Sequence, residues 1–504
     1  MTTTSAPPPT RRMSRGRLLV IFAALLIGMF VSAIDQMVVT TLALSIVRDL
    51  AGAAASTAAG QTGWLVTAYL LTSTAVMPLA GKISDLHGRK LTYIVAMGLF
   101  VLGSLAAALS VTMPMLIVAR GVQGVGSGAL VSVTFAVLAD LVSPRDRGKY
   151  QGGFGAVFAS SSLLGPVIGG LFAGGGTLFG LAVDWHAVFA LNIPVGVLAI
   201  AVNAFLLPPS VRRERPELDV PGAVLMVVGV SGILLAAQWG GQSYPWGSWQ
   251  VLLPGLGGLV LIVAFVLWER RAVEPILPIR LFRERTFSIL NLGSLLLGVV
   301  FSGLLIYLTV FVQLAQHVSP TDAGLSMLPL TLSMVGTSVL TGMLASRFGR
   351  FRIFILLGAP LLAAGGVLLT TLDPESSLWT VRAFALVVGV GAGLMQQMFI
   401  LGAQNAATDD DLGVVTVSST FFRTLGGAVG GSLFGVLLTL RLSSWDAIDA
   451  ASPSAYVSAM TPIFLTVAAF AVLIFVSTLF VPDKKLRDLD EEKLALAELG
   501  VTEA

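Results

Sequence analysis

The 504-residue chain contains no cysteine and only three histidines, His87, His186 and His317, far apart in sequence. The first absence removes disulfides, iron–sulfur clusters and thiolate chemistry. The second leaves no H-E-x-x-H pair, and neither a Walker loop nor a nucleophile elbow is found, so the sequence argues against an enzyme and against ATP as an energy source. Charge is also scarce. Asp, Glu, Lys and Arg make up 11% of residues, against about a quarter in soluble domains. The formal net charge of +3 does not point to nucleic acid, because the basic residues are scattered among short loops. Gly124-Val-Gly-Ser-Gly128 has the look of a dinucleotide loop, yet it lies inside an apolar run and follows no strand. The expectation is a chain with no cofactor, no metal and no nucleic-acid partner.

Hydrocarbon is what the chain has in excess. Hydrophobic residues make up 55% of it and gather into fourteen apolar runs, with the charges between them. A bilayer core about 30 Å thick takes about 20 helical residues to cross, and only helices or closed barrels satisfy their backbone polar groups there. The pattern predicts an all-α polytopic membrane protein with spans near 17–40, 62–81, 91–111, 113–140, 149–173, 188–207, 221–239, 251–269, 286–312, 323–346, 353–371, 378–404, 413–439 and 460–481. The first run follows Arg11, Arg12, Arg15 and Arg17 without a small-residue cleavage site, and reads as a retained span.

Lys and Arg mark the cytoplasmic ends of spans. With fourteen spans, the arginines of 11–17, Lys82/Arg89/Lys90, Arg145/Arg147/Lys149, Arg212/Arg213/Arg215, the arginines of 270–285, Arg347/Arg350/Arg352 and Lys484/Lys485/Arg487 all fall on the side of both termini. Arg48, Arg120, Arg382, Arg423 and Arg441 stand apart from this sorting. The expectation is a multi-pass protein of the cytoplasmic (inner) membrane with cytoplasmic tails at 1–16 and 482–504.

The chain also resembles itself. Gly81-Lys-Ile-Ser-Asp-Leu-His-Gly-Arg89 between spans two and three recurs as Gly342-Met-Leu-Ala-Ser-Arg-Phe-Gly-Arg350 between spans ten and eleven, an offset of 261 positions. The same offset carries Gly165-Pro-Val-Ile-Gly-Gly-Leu-Phe172 onto Gly426-Gly-Ala-Val-Gly-Gly-Ser-Leu433, with three glycines coinciding. Two matches at one offset imply a duplicated six-span unit, 17–207 and 286–481, with a linker at 208–285 that inserts two further spans.

These residues resemble the major facilitator superfamily, in its fourteen-span drug/proton antiporter branch related to the EmrB and QacA multidrug exporters. Gly81, Asp85, Gly88, Arg89 and Lys90 match its loop signature. Arg120-Gly-Val-Gln-Gly-Val-Gly126 is similar to its fourth-helix signature, and Gly165, Pro166, Gly169 and Gly170 to its antiporter signature. Ile34-Asp-Gln-Met-Val-Val-Thr-Thr-Leu-Ala43 resembles the first-helix signature, and Trp185-His186 with Asn192-Ile-Pro-Val-Gly196 the opening of the sixth span. Met37, Ser45, His186 and Ser346 depart from the usual residues. The resemblance implies two pseudo-symmetric six-helix bundles plus two inserted helices, and a monomeric proton-coupled antiporter among membrane lipids. It would export amphiphilic, cationic drugs or related small molecules by alternating access, and so confer antibiotic resistance. A lipid or lipid-conjugate exporter on the same scaffold is the alternative.

Asp35 is the first candidate, because an ionised carboxylate within an apolar span is costly and usually functional. Burial disfavours the charged carboxylate and a cation beside it favours it; a group held between the two exchanges protons. Arg120 is the expected countercharge, and Gln123, one turn on, shares its face. Arg423 interrupts the thirteenth span and is expected to face the cavity and join the coupling. Gln123, Phe158, Gln313 and Gln397 are expected to line a substrate cavity. Gly81, Asp85, Gly88 and Arg89, with Asp140 as an ion-pair partner, are expected to form a cytoplasmic latch, with Asp85 accepting hydrogen bonds at a helix N-terminus. Gly165, Pro166, Gly169 and Gly170 are expected to pack helices backbone to backbone, Pro166 adding a bend.

Overall fold

The structure, a computed structural model, describes residues 15–51, 55–142, 184–207, 219–240, 244–316, 320–407, 411–442, 453–483, 485 and 486. Between 150 and 182 it describes residues 150, 153–158, 160, 161, 164, 165, 168, 169, 172, 177, 178, 181 and 182. Thirteen helices long and apolar enough to cross a membrane are present among them. They are α1 (Arg15–Ala51), α2 (Ala55–His87), α3 (Arg89–Ala108), α4 (Met113–Leu141), α5 (Trp185–Leu206), α6 (Val220–Trp239), α7 (Trp249–Glu269), α8 (Arg285–Ala315), α9 (Leu328–Phe348), α10 (Arg352–Leu369), α11 (Leu378–Ala406), α12 (Leu412–Leu442) and α13 (Pro453–Leu479). A short helix, Pro320–Ser326, leads into α9, and the only ladder among the described residues pairs Thr177–Leu178 with Leu181–Ala182. The predicted fifth span, 149–173, is described only in part, and Pro166 and Gly170 lie outside the described residues.

Several helices outrun their apolar windows. α1 continues to Ala51 and α2 starts at Ala55, because hydropathy marks only the part of a helix inside hydrocarbon while the backbone ladder continues into the interfacial layer. Ends are set by local chemistry. Asp184 caps α5 by accepting from the His186 N–H at 3.0 Å, and Asp219 caps α6 by accepting from Gly222 N–H at 2.9 Å. Gly88 has φ 95° between α2 and α3, and Gly349 ends α9 at φ 67°, two backbone conformations that favour glycine.

One large core draws only on residues 281–486, and two others only on residues 21–207. The N-terminal helices α1–α5 and the C-terminal helices α8–α13 therefore bury apolar faces of their own. They meet at the Lys/Arg-rich end: Met29, Met77, Val131, Leu138 and Phe154 pack with Ile400 of α11 and Val417 of α12. A Cβ on Gly81 would stand 3.1 Å from Val417 Cγ2, so glycine there permits the close approach of α2 to α12. The core toward the opposite end, with Val38, Val47, Leu65, Met113 and Phe189, contains N-terminal residues alone.

α6 fills the seam between α2 and α12. Its residues Ala223, Met226, Val230 and Leu234 share a core with Ala75 of α2 and Phe421 of α12. At the far end the Trp239 ring lies 5.4 Å from Trp64, and Ser432 donates to the Ala237 carbonyl. α7 stands outside: 17% of its span is buried, against 89% for α4.

The offset seen in the sequence reappears as packing. Gly169 meets α1, with its Cβ position 3.2 Å from the Val38 carbonyl; Gly430 of α12 meets the Val299 carbonyl of α8. Positions 38 and 299 are separated by the same 261 residues as 169 and 430.

Candidate functional site

α1, α3, α4 and α5 converge on Asp35. α3 approaches α4 because Gly103 lies against Gln123, where a Cβ would stand 2.7 Å from the Gln123 backbone nitrogen. This brings Gln123 within reach of Ser104, to which its Nε2 donates at 2.7 Å. α5 packs on α1 and α3, placing Asn192 opposite the carboxylate.

Asp35 is an acceptor on both oxygens. Arg120 Nη1 forms an ion pair with Oδ2; Asn192 Nδ2 donates to Oδ1 at 2.7 Å, and Gln123 Nε2 approaches Oδ1 at 3.5 Å. Arg120 also donates to Gln123 Oε1 at 2.9 Å and to the Leu65 carbonyl at 3.4 Å, and its guanidinium lies 4.3 Å from the centre of the Tyr69 ring. The Tyr69 hydroxyl donates to Ser127 Oγ at 2.6 Å beside Ser32, extending a polar chain one turn along α1. Side-chain exposure is 0% for Asp35 and 1% for Arg120. A buried ion pair persists when each ion is also hydrogen-bonded, as both are here. Asp85, Asp140, Glu269 and Asp322 lie in the terminal turns of their spans, whereas Asp35 lies well inside the span Gly16–Ala43. The geometry holds a carboxylate, paired and hydrogen-bonded, at a dehydrated position.

The sequence singled out Asp35, Arg120 and Gln123, and the structure brings them together. Gln123 is fully buried inside this network. Asn192, Ser104 and Tyr69 were not assigned to the site; a neutral amide in an apolar span was the available signal for Asn192. Phe158 is half-buried against the core where the N- and C-terminal helices meet. Gln313 is half-buried near the end of α8, and Gln397 is buried in α11. Arg423 is half-buried on α12, next to the backbone crossing with Gly298 of α8.

At the Lys/Arg-rich face, Arg89 gathers α2, α3 and α4. It pairs with Asp85, donates to Asp140 Oδ2 at 2.8 Å and reaches Ser84 Oγ at 2.5 Å. Asp85 is thus engaged by Arg89, its i,i+4 neighbour, rather than by a helix N-terminus. Next to this group the segment after α7 bridges the molecule. Glu274 pairs with Lys82 of α2 at 2.6 Å, and Arg280 grips Asp411, just before α12, with two bonds of 2.9 Å. The run of charges at 269–285 was visible in the sequence, but its partners were not.

The sequence profile of the Major Facilitator Superfamily matches residues 24–431. The chain is 37% identical over 423 residues to the multidrug transporter protein MdtP of Bacillus subtilis (strain 168), covering 84% of this chain and 75% of the relative. It is 30% identical over 415 residues to multidrug resistance protein 3 of the same organism, covering 82% and 78%. The solved proton:xylose symporter XylE, bound to 6-bromo-6-deoxy-D-glucose, superposes with a TM-score of 0.65 at 15% identity, over 96% of this chain and all of that one. At that identity the likeness is one of fold.

Proposed function

The chain belongs to the Major Facilitator Superfamily and is similar along most of its length to multidrug transporters; from that premise we propose that it is a proton-coupled antiporter. It exports amphiphilic, cationic small molecules across the cytoplasmic membrane, with both termini cytoplasmic and the monomer as the working unit. The bundles 17–207 and 286–481 rock against each other, and the observation that carries the reading is the Asp35–Arg120 pair buried within the first of them.

With the basic face closed, this conformation faces outward, and a proton enters from outside. Protonation of Asp35 removes the charge that Arg120 neutralises, and breaking one side of a buried pair costs several kcal/mol, on the order of 3–5. The cost shifts the balance between the two arrangements of α1 and α4. Opening to the cytoplasm lets cargo bind and the proton leave, which restores the pair. One proton entering for one monovalent cation leaving moves no net charge, so the pH difference across the membrane supplies the drive, about 1.4 kcal/mol per pH unit. Arg423 adds positive charge in the second bundle and tunes the same balance. Lipids surround the exposed face of α7.

Cells or vesicles carrying the protein should expel a panel of amphiphilic cations, and an uncoupler should stop the efflux. Efflux that persists unchanged with the uncoupler would remove proton coupling from the account.

A further inference from the structure

We infer that Asn192 is a positioning residue for proton exchange: it solvates Asp35 in both protonation states and thereby sets the pH at which the carboxyl group loses its proton. The inference rests on the proposal that Asp35 is the coupling carboxylate.

The neighbours of Asp35 differ in what they can offer it. Arg120 has donors only, so it serves the carboxylate and has nothing to give a carboxylic O–H. Gln123 is already committed, its Oε1 accepting from Arg120 and its Nε2 donating to Ser104, which leaves only the 3.5 Å approach to Asp35. Among the described residues, Asn192 Nδ2, at 2.7 Å, is the one close donor to Oδ1. An amide carries two donors and an acceptor on one rotatable group. Turned one way it donates to the carboxylate; turned by half a rotation it presents Oδ1 to the protonated acid. No backbone movement is needed.

Placement supports the same role. Asn192 is buried at 6% exposure on α5, two residues before Pro194, and α5 packs on α1 and α3. The titratable groups facing Asp35 are Arg120 from α4 and Tyr69 from α2, with Tyr69 lying against the Arg120 guanidinium. α3 and α5 contribute the neutral Ser104 and Asn192. Among the described residues, Asn192 is therefore the one close partner of Asp35 able to follow its proton.

Hydrogen bonds to a charged acceptor are stronger than those to a neutral one, so the net effect of Asn192 is to favour the anion. Its removal should tighten proton binding.

The test is infrared difference spectroscopy of the reconstituted full-length protein between pH steps, following the carbonyl band of protonated carboxyl groups. Asp35→Asn assigns the band by deleting it. Asn192→Leu should move the midpoint of that band up by about one pH unit, a tenfold gain in proton affinity, while Asn192→Gln restores the original midpoint. If Asn192→Leu does not reach the membrane, Asn192→Ala carries the test: it removes the same amide without adding bulk or charge and should raise the midpoint in the same direction. An unmoved midpoint in a folded Asn192 variant overturns this inference and leaves the coupling proposal standing. Spectra that Asp35→Asn leaves unchanged overturn both, because Asp35 then exchanges no proton.

Discussion

Asp35 and Arg120 form a buried ion pair, and Gln123 and Asn192 hold it in place. Replacing Arg120 with Leu leaves a buried carboxylate without its cation and should lower stability by about 3–5 kcal/mol. Adding Asp35→Asn should restore much of the loss. The thermal midpoint of the solubilised protein measures both, and strict additivity of the two losses would mean that the pair is not a unit. Gly88 provides a second prediction at this scale. Its φ of 95° and ψ of 144° belong to a region that side-chain-bearing residues avoid, so Gly88→Ala should cost about 1–3 kcal/mol and lower the same midpoint, with the turn into α3 distorted.

At the scale of the element, hydropathy located the spans because a membrane helix is defined by what it excludes, and the helices described follow the predicted runs. The glycines were legible too: Gly169 against Val38 and Gly430 against Val299 are the crossings that small residues at fourfold spacing allow. Two partners across the chain were legible, Arg120 for Asp35 and Asp140 for Arg89; others were not. Nothing local in the sequence joins Lys82 to Glu274, or Asn192 to Asp35, because such contacts depend on which helix faces lie together. The segment after α7 is the clearest case, a charged stretch that reads as a linker and ties α2 to the start of α12. Lys82→Glu should loosen the basic face and shift the protein toward its inward-facing form. Lys82→Glu combined with Glu274→Lys should recover transport. Uptake and efflux rates compared across the single and double variants decide it, and a double variant no better than either single would show that the pair is not the link.

For the whole molecule, the basic face is closed by α2 and α4 against α11 and α12, and the account requires that this closure alternate with opening. The natural absence of cysteine makes the closure easy to lock. Gly81→Cys with Val417→Cys should crosslink under oxidation and stop transport, and reduction should restore it; full transport while crosslinked would mean that the two groups of helices do not part there. The central claim is that one carboxylate exchanges a proton for cargo, and the most direct measurement is proton movement in proteoliposomes on addition of a transported cation. The wild-type protein should move protons against the cargo, and Asp35→Asn, folded and inserted, should move none. Cargo-driven proton movement of undiminished size in that variant would contradict the account.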